Sequence, residues 1–136
     1  MNPSQPTTNI LIIDDNRLLS PSLRDYLQHS GIGATCLFEG NQAAGWLEEN
    51  SCDAIVMDLK MPDCDGIALT EMIREKHPEL PILIWTGLGY DELRIEEARA
   101  AGANGFLSKV MGPKLILMTL LQLVGERHEE SELVAA

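Results

Sequence analysis

The stretch IVMDLKMPDCDG, residues 55–66, runs three apolar residues straight into Asp58 and then into a loop dense with Pro, Asp and Gly. An ionised side chain at the end of a buried strand is costly unless it is paired, metal-bound or functional. The same question arises at Asp14 and Asp15, which follow the apolar run 9–13, at Thr86, which closes ILIWT, and at Lys109, which follows GFLS. Three carboxylates gathered at one pole repel each other and raise the proton affinity of at least one, unless a hard cation draws them together. Mg²⁺ suits such a site, because it takes one or two carboxylates, keeps several waters and fills its shell with phosphate oxygens. Lys109 adds a compact positive charge and Thr86 a hydroxyl that can donate to an incoming oxyanion. A carboxylate attacks phosphorus when preorganised partners neutralise the transferring group, which makes Asp58 the candidate nucleophile of a phosphoryl site.

For these residues to meet, the chain must bring several strand ends together. Apolar runs alternate with helical spacing five times: 9–13 then 17–30, 34–38 then 41–50, 54–58 then 66–76, 82–86 then 91–101, and 105–108 then 113–127. Strands separated by helices on short loops form a parallel sheet with right-handed crossovers, so the expected class is a doubly wound α/β fold. Ligands of such sheets sit outside the carboxyl ends of the strands, where Asp14, Asp15, Asp58, Thr86 and Lys109 all fall. Pro21 lies inside the first helical pattern and requires that helix to start late, with Ser20 as the candidate cap.

Composition bounds the rest. A chain of 136 residues with 45% apolar content supports one domain with a real core. The formal charge of −11 repels phosphate backbones and anionic lipid, so direct nucleic-acid binding is not expected. Three cysteines without ligand-like spacing suit free thiols and a cytoplasmic address. Residues 1–8 have neither a basic start nor an apolar middle and read as a frayed tail rather than a secretory signal, while 128–136 read as a polar tail. The longest apolar segment, 115–124, is far shorter than the roughly 20 residues that span a bilayer, so no membrane segment is expected.

Together, Ile13-Asp14-Asp15, Met57-Asp58 with Met61-Pro62-Asp63-Cys64-Asp65-Gly66, Thr86-Gly87, and Ala101-Gly102-Ala103-Asn104-Gly105-Phe106-Leu107-Ser108-Lys109 resemble the receiver domain of two-component response regulators. The resemblance covers about 9–125, and the domain is taken as 9–127. It implies a flavodoxin-like five-stranded parallel sheet in the order 2-1-3-4-5. It further implies Asp58 as phosphoacceptor, Asp15 as a direct Mg²⁺ ligand, Asp14 as its partner through water, and a backbone carbonyl from Lys60. Thr86 and Phe106 would be the switch pair, Thr86 turning toward the phosphoryl group and the Phe106 ring moving inward behind it. The donor would be a histidine kinase or a histidine phosphotransfer protein, and the chain would catalyse its own phosphotransfer and dephosphorylation rather than turn over a substrate. Two positions depart from the family pattern. Val110 stands where a cis proline is usual after the lysine, and since a cis bond to a non-proline costs about 2.5–4 kcal/mol, the Lys109-Val110 peptide is expected to be trans. Lys60 lies two residues past the acceptor, beside the water that would hydrolyse an acyl phosphate.

Simpler readings stand beside these. Asp14 and Asp15 alone could cap a helix. Phe106 could be ordinary core, Cys64 a tolerated loop residue, and His29, His77 and His128 surface residues near helix ends. A dinucleotide-binding module would need glycines where the chain has Asp14-Asp15-Asn16-Arg17, and an aspartyl-phosphate hydrolase would want an Asp where it has Lys60. The remaining alternative is a pseudo-receiver, a binding module that signals without phosphorylation. On a helical wheel from Pro113, residues Ile116, Leu117, Leu120, Leu121, Leu123 and Val124 are expected to cover the sheet, with Lys114, Thr119, Gln122 and Glu126 facing solvent. Leu115 and Met118 fall among the polar residues and form a candidate interaction surface for a second copy or an effector protein.

Overall fold

The computed structural model describes residues 8–87 and 92–135, with side chains as far as residue 127. Its elements run β1 (Asn9–Ile13), α1 (Leu19–His29), β2 (Gly33–Leu37), a 3₁₀ turn (Gly40–Gln42), α2 (Ala43–Glu49), β3 (Ala54–Met57), α3 (Gly66–Lys76), β4 (Ile82–Thr86), α4 (Glu92–Ala101), β5 (Gly105–Ser108) and α5 (Pro113–Ala135). The five strands form one parallel sheet in the order β2-β1-β3-β4-β5, as the sequence reading expects.

β1, β3 and β4 are apolar at nearly every position because both faces of the sheet are covered. Leu11, Ile13, Ile55, Met57, Ile82 and Ile84 pack under α3 and α4, together with Leu69, Ile73 and Ala98. The alternate residues Ile10, Ile12, Val56, Leu83 and Trp85 pack under α1 and α5, against Leu23, Leu27, Ile116 and Leu120. Each large side chain so buried contributes about 1.5–3 kcal/mol relative to exposure, which holds the period-two alternation in register.

Several local expectations are corrected. Ser20 does not cap α1. The N-cap position is Leu18, without a side-chain cap, and Asn16 closes the turn leading into the helix, its Oδ1 accepting from the backbone N–H groups of Leu18 (3.0 Å) and Leu19 (2.9 Å). Ser20 is instead fully buried, with its hydroxyl 3.5 Å from the Asp14 carbonyl. Pro21 is thereby inside the first turn, where a missing N–H costs little. On α5, Leu121 does not cover the sheet but is 48% exposed. The helix rests on the ridge Ile116–Leu120–Val124, spaced four apart, and Leu121 lies about 100° round from Leu120, past the edge of that contact. Thr119, expected on the solvent side, is half-buried and its hydroxyl donates to the Leu115 carbonyl at 2.8 Å. Leu115 and Met118 are exposed, 41% and 57%, as the wheel predicts. The α5 backbone also continues as helix to Ala135, through the segment read as a polar tail. The frayed-tail expectation for 1–8 falls almost wholly outside the described residues, and His128 lies beyond the described side chains.

Candidate functional site

The pairing of β1 with β3 sets Ile13 opposite Met57, and the hydrogen-bond ladder runs one step further, with Asp58 N–H donating to the Ile13 carbonyl at 3.1 Å and Asp14 N–H to the Leu37 carbonyl at 3.1 Å. Two carboxylates that are 44 positions apart in the chain are therefore neighbours at the sheet's carboxyl edge. Asp14 is fully buried, Asp58 is 8% exposed and Asp15 is exposed, and one oxygen from each lies within 4.8 Å of the others. Lys109, just beyond β5, reaches across to both buried acids: its Nζ is 2.6 Å from Asp14 Oδ2 and 3.0 Å from Asp58 Oδ2.

The loop after β3 is built to present Asp58. Asp58 Oδ1 accepts from the Lys60 N–H at 3.1 Å, a bridge pairs Lys60 with Asp65, and Gly66 N–H donates to the Leu59 carbonyl at 3.1 Å. Gly66 is required there, since a Cβ would lie 2.5 Å from Leu59 Cα and 2.8 Å from its carbonyl oxygen. Asp65 caps α3, its carboxylate accepting from the Ile67 N–H at 3.0 Å. Asp63 ties the loop to the turn after β2 by accepting from the N–H groups of Gly40 (3.2 Å) and Asn41 (2.8 Å), and these bonds hold its carboxyl below the usual range. In the sequence nothing marks Asp63 as a tether beyond its place, as an Asp, in a Pro/Gly loop.

The peptide bonds among the described residues are all trans, so the Lys109-Val110 bond is trans as expected. With no proline, Val110 keeps its N–H, which donates to Ser108 Oγ at 3.2 Å, while Met111 N–H closes a turn on the Ser108 carbonyl at 3.1 Å. Lys109 N–H donates to the Thr86 carbonyl at 2.6 Å, which anchors the lysine backbone to β4. The different turn thus still delivers Lys109 to Asp58. Thr86 is buried at the end of β4, and Phe106 is half-buried on β5 opposite Ile84, on the same face as Thr86.

Burial holds the Asp14 carboxyl above its usual range despite Lys109 and the Asn16 N–H that bonds its Oδ1 at 3.0 Å. Burial alone would lower the Lys109 ammonium, but Asp14 and Asp58 outweigh it and raise it. Asp14 Oδ2 meets Lys109 as an ion pair without an aligned hydrogen bond, so a buried anionic oxygen has lone pairs to spare. One lysine against three carboxylates leaves a formal charge of −2 at the cluster, which a divalent cation matches. The donor set fits a hard, oxygen-seeking ion, with two buried ligands on the protein side and one exposed ligand toward solvent.

Leu59, Lys60, Met61, Pro62, Cys64, Asp65 and Arg94 line an open groove beside the acceptor loop. On the other side of the site, a cavity of about 300 Å³ lies between α1 and α5, with Trp85 and Lys109 in its wall. Burial raises the Cys64 thiol, which fits its reading as a tolerated loop residue.

Comparison with known proteins points the same way. Residues 10–121 match the response regulator receiver domain. The regulatory protein VanRc of Enterococcus gallinarum is 29% identical over 104 residues, covering 76% of this chain and 44% of its own. The response regulator MprA of Mycobacterium sp. (strain KMS) is 30% identical over 115 residues, covering 85% of this chain and 50% of its own. The chain thus spans about half the length of these curated relatives. The receiver domain of the Francisella response regulator 1452 superposes with a TM-score of 0.79 at 26% identity, covering 88% of this chain and 98% of that one. Among the described residues no helix is long and apolar enough to cross a membrane. With the doubly wound sheet and the acidic pole at its carboxyl edge, the match over 10–121 establishes that this chain belongs to the response regulator receiver domain family of two-component signalling.

Proposed function

We propose that this chain is a phosphorelay receiver, spanning 9–127, in which Asp58 accepts a phosphoryl group from a phosphohistidine donor. The observation that carries this reading is the Lys109 ammonium shared between Asp14 and Asp58, with Asp15 at its side. In the transfer, the Asp58 carboxylate oxygen forms a bond to phosphorus as the P–N bond of the donor breaks, and the imidazole leaves with the bonding pair and takes a proton. Lys109 and Thr86 bind the oxygens of the group in flight, which is worth most in a site as buried as this one. Asp14, Asp15, Asp58 and the Lys60 carbonyl are the proposed ligands of Mg²⁺, which when bound supplies charge neutralisation on the phosphoryl group. The chain catalyses transfer to itself and hydrolysis of its own acyl phosphate, with no separate substrate turned over.

Thr86 and Phe106 are the proposed switch residues, and the partner is a histidine kinase or histidine phosphotransfer protein in the cytoplasm. Three large exposed apolar side chains, Leu18 (87%), Val110 (68%) and Met111 (46%), sit on the loops that carry Asp14 and Lys109, and they offer that donor an apolar rim around the acidic mouth. Output passes through α5, where Leu115, Met118 and Leu121, all exposed, form one outward stripe for a second copy or an effector. A pseudo-receiver would find its support in Val110, which stands in place of the family's proline after the lysine, but the trans turn there leaves Lys109 3.0 Å from Asp58. Incubation with phosphoramidate and Mg²⁺, read by intact mass, tests the proposal: the wild type should gain one phosphoryl group and Asp58→Asn none. A wild type that gains no mass, or an Asp58→Asn chain that does, removes Asp58 as the acceptor.

A further inference from the structure

We infer that Arg99 is a positioning residue for Phe106, its guanidinium holding the ring at the outer edge of the sheet; the inference rests on the switch role proposed above for Phe106. β5 is an edge strand whose four residues are all half-buried, and Phe106 packs against the core on one side only in part. Phe106 faces the α4 side, and Arg99, in the last turn of α4, places its Cζ 5.3 Å from the ring centroid, within the roughly 6 Å over which a guanidinium is attracted to an aromatic face. The competing partner of Arg99 is Glu96, at 3.8 Å, with both side chains more than half exposed (58% and 67%), a geometry in which an ion pair contributes little. The last turn of a helix also favours a cation, which keeps Arg99 in place over the ring.

The register fixes what the contact does. Ile84, opposite Phe106, and Thr86, two residues on, lie on the same face of β4, and Arg99 is in the last turn of α4, next to the start of β5, so a ring that moves in behind Thr86 travels toward the carboxyl edge of the sheet and away from Arg99. The cation–π contact exists in the outer state and is lost in the inner one. An interaction present in only one of two states shifts their populations by its own strength. For a contact at an exposed site, the shift is about two- to fivefold toward the outer ring.

The test is the initial rate of Asp58 labelling by phosphoramidate with Mg²⁺, followed by intact mass, for wild type, Arg99→Gln and Arg99→Lys, each with Phe106 and with Phe106→Leu. Arg99→Gln should label about two- to fivefold faster by releasing the inner state. Arg99→Lys keeps the cation and should stay close to wild type, and in the Phe106→Leu background all three should label alike. An unchanged rate for Arg99→Gln, or the same change in both backgrounds, overturns the role of Arg99. A wild type that takes up no phosphoryl group strikes the acceptor assignment itself, so the two failures are told apart.

Discussion

Lys109 Nζ lies 3.0 Å from Asp58 Oδ2 across 51 residues of sequence, and the same nitrogen lies 2.6 Å from Asp14 Oδ2. One ammonium therefore serves two acids from two different strands. Lys109→Met should keep the apolar stem and the fold while removing the charge from the phosphoryl oxygens. Asp58 labelling by phosphoramidate should slow about 100-fold or more, the scale for loss of one preorganised electrostatic partner. A rate within threefold of wild type would exclude Lys109 from the transfer.

Asp15 is the exposed member of the acidic cluster and contributes little to the core, so Asp15→Asn should fold normally. Its Mg²⁺ affinity should fall about 10- to 100-fold. Trp85 offers the readout: its ring is 5.3 Å from Lys109 Nζ, and its fluorescence should respond to the ion. Equal titrations for wild type and Asp15→Asn would remove it from the ligand set.

Two glycines should respond oppositely to alanine. A Cβ at Gly66 would meet Leu59 backbone at 2.5 Å, so Gly66→Ala should cost about 1–3 kcal/mol or more and disturb the loop that presents Asp58. Gly45 is in α2 with nothing within 4 Å of its added Cβ, and Gly45→Ala should gain about 0.5–1 kcal/mol. Urea unfolding of both variants decides the matter, and equal midpoints would contradict the packing described.

Burial pushes the Cys52 thiol up to about 12, and raises Cys36 and Cys64 as well. Cys52 should therefore be the slowest of the three toward iodoacetamide at pH 8, because the thiolate is the reactive form. The unfolded thiol ionises near 9.0 and the folded one only near 12, so this contribution to stability is intact below pH 9 and is lost as pH rises between those values. Peptide mapping that finds Cys52 alkylated first would show that its pocket opens readily.

Leu115→Gln combined with Met118→Gln should leave stability nearly unchanged, since both side chains are exposed, and should weaken self-association or effector capture. Sedimentation of the phosphorylated and unphosphorylated chain measures the first of these. Unaltered association in both states, with effector capture also intact, would move the output surface away from α5.

The sequence by itself determined the order of elements, the doubly wound class and the pole where the acids collect, because apolar strands buried on both faces and Pro/Asp/Gly turns leave strong local signals. It also marked Asp14, Asp15, Asp58, Thr86 and Lys109 as polar residues at strand ends, and the fold brings these ends to one edge of the sheet. What it did not carry was reach. Asn16, not Ser20, holds the turn into α1, because its side chain reaches the N–H groups of Leu18 and Leu19 while Ser20 is drawn into the core. Leu121 is exposed because the width of the contact between α5 and the sheet depends on how two surfaces meet, which a helical wheel does not contain. The tether of Asp63 on Gly40 and Asn41, the Val110 N–H held by Ser108, and Arg99 over Phe106 all join segments through distances of a few ångströms. Such contacts depend on side-chain direction and on the packing of neighbouring elements, and only the folded chain sets those.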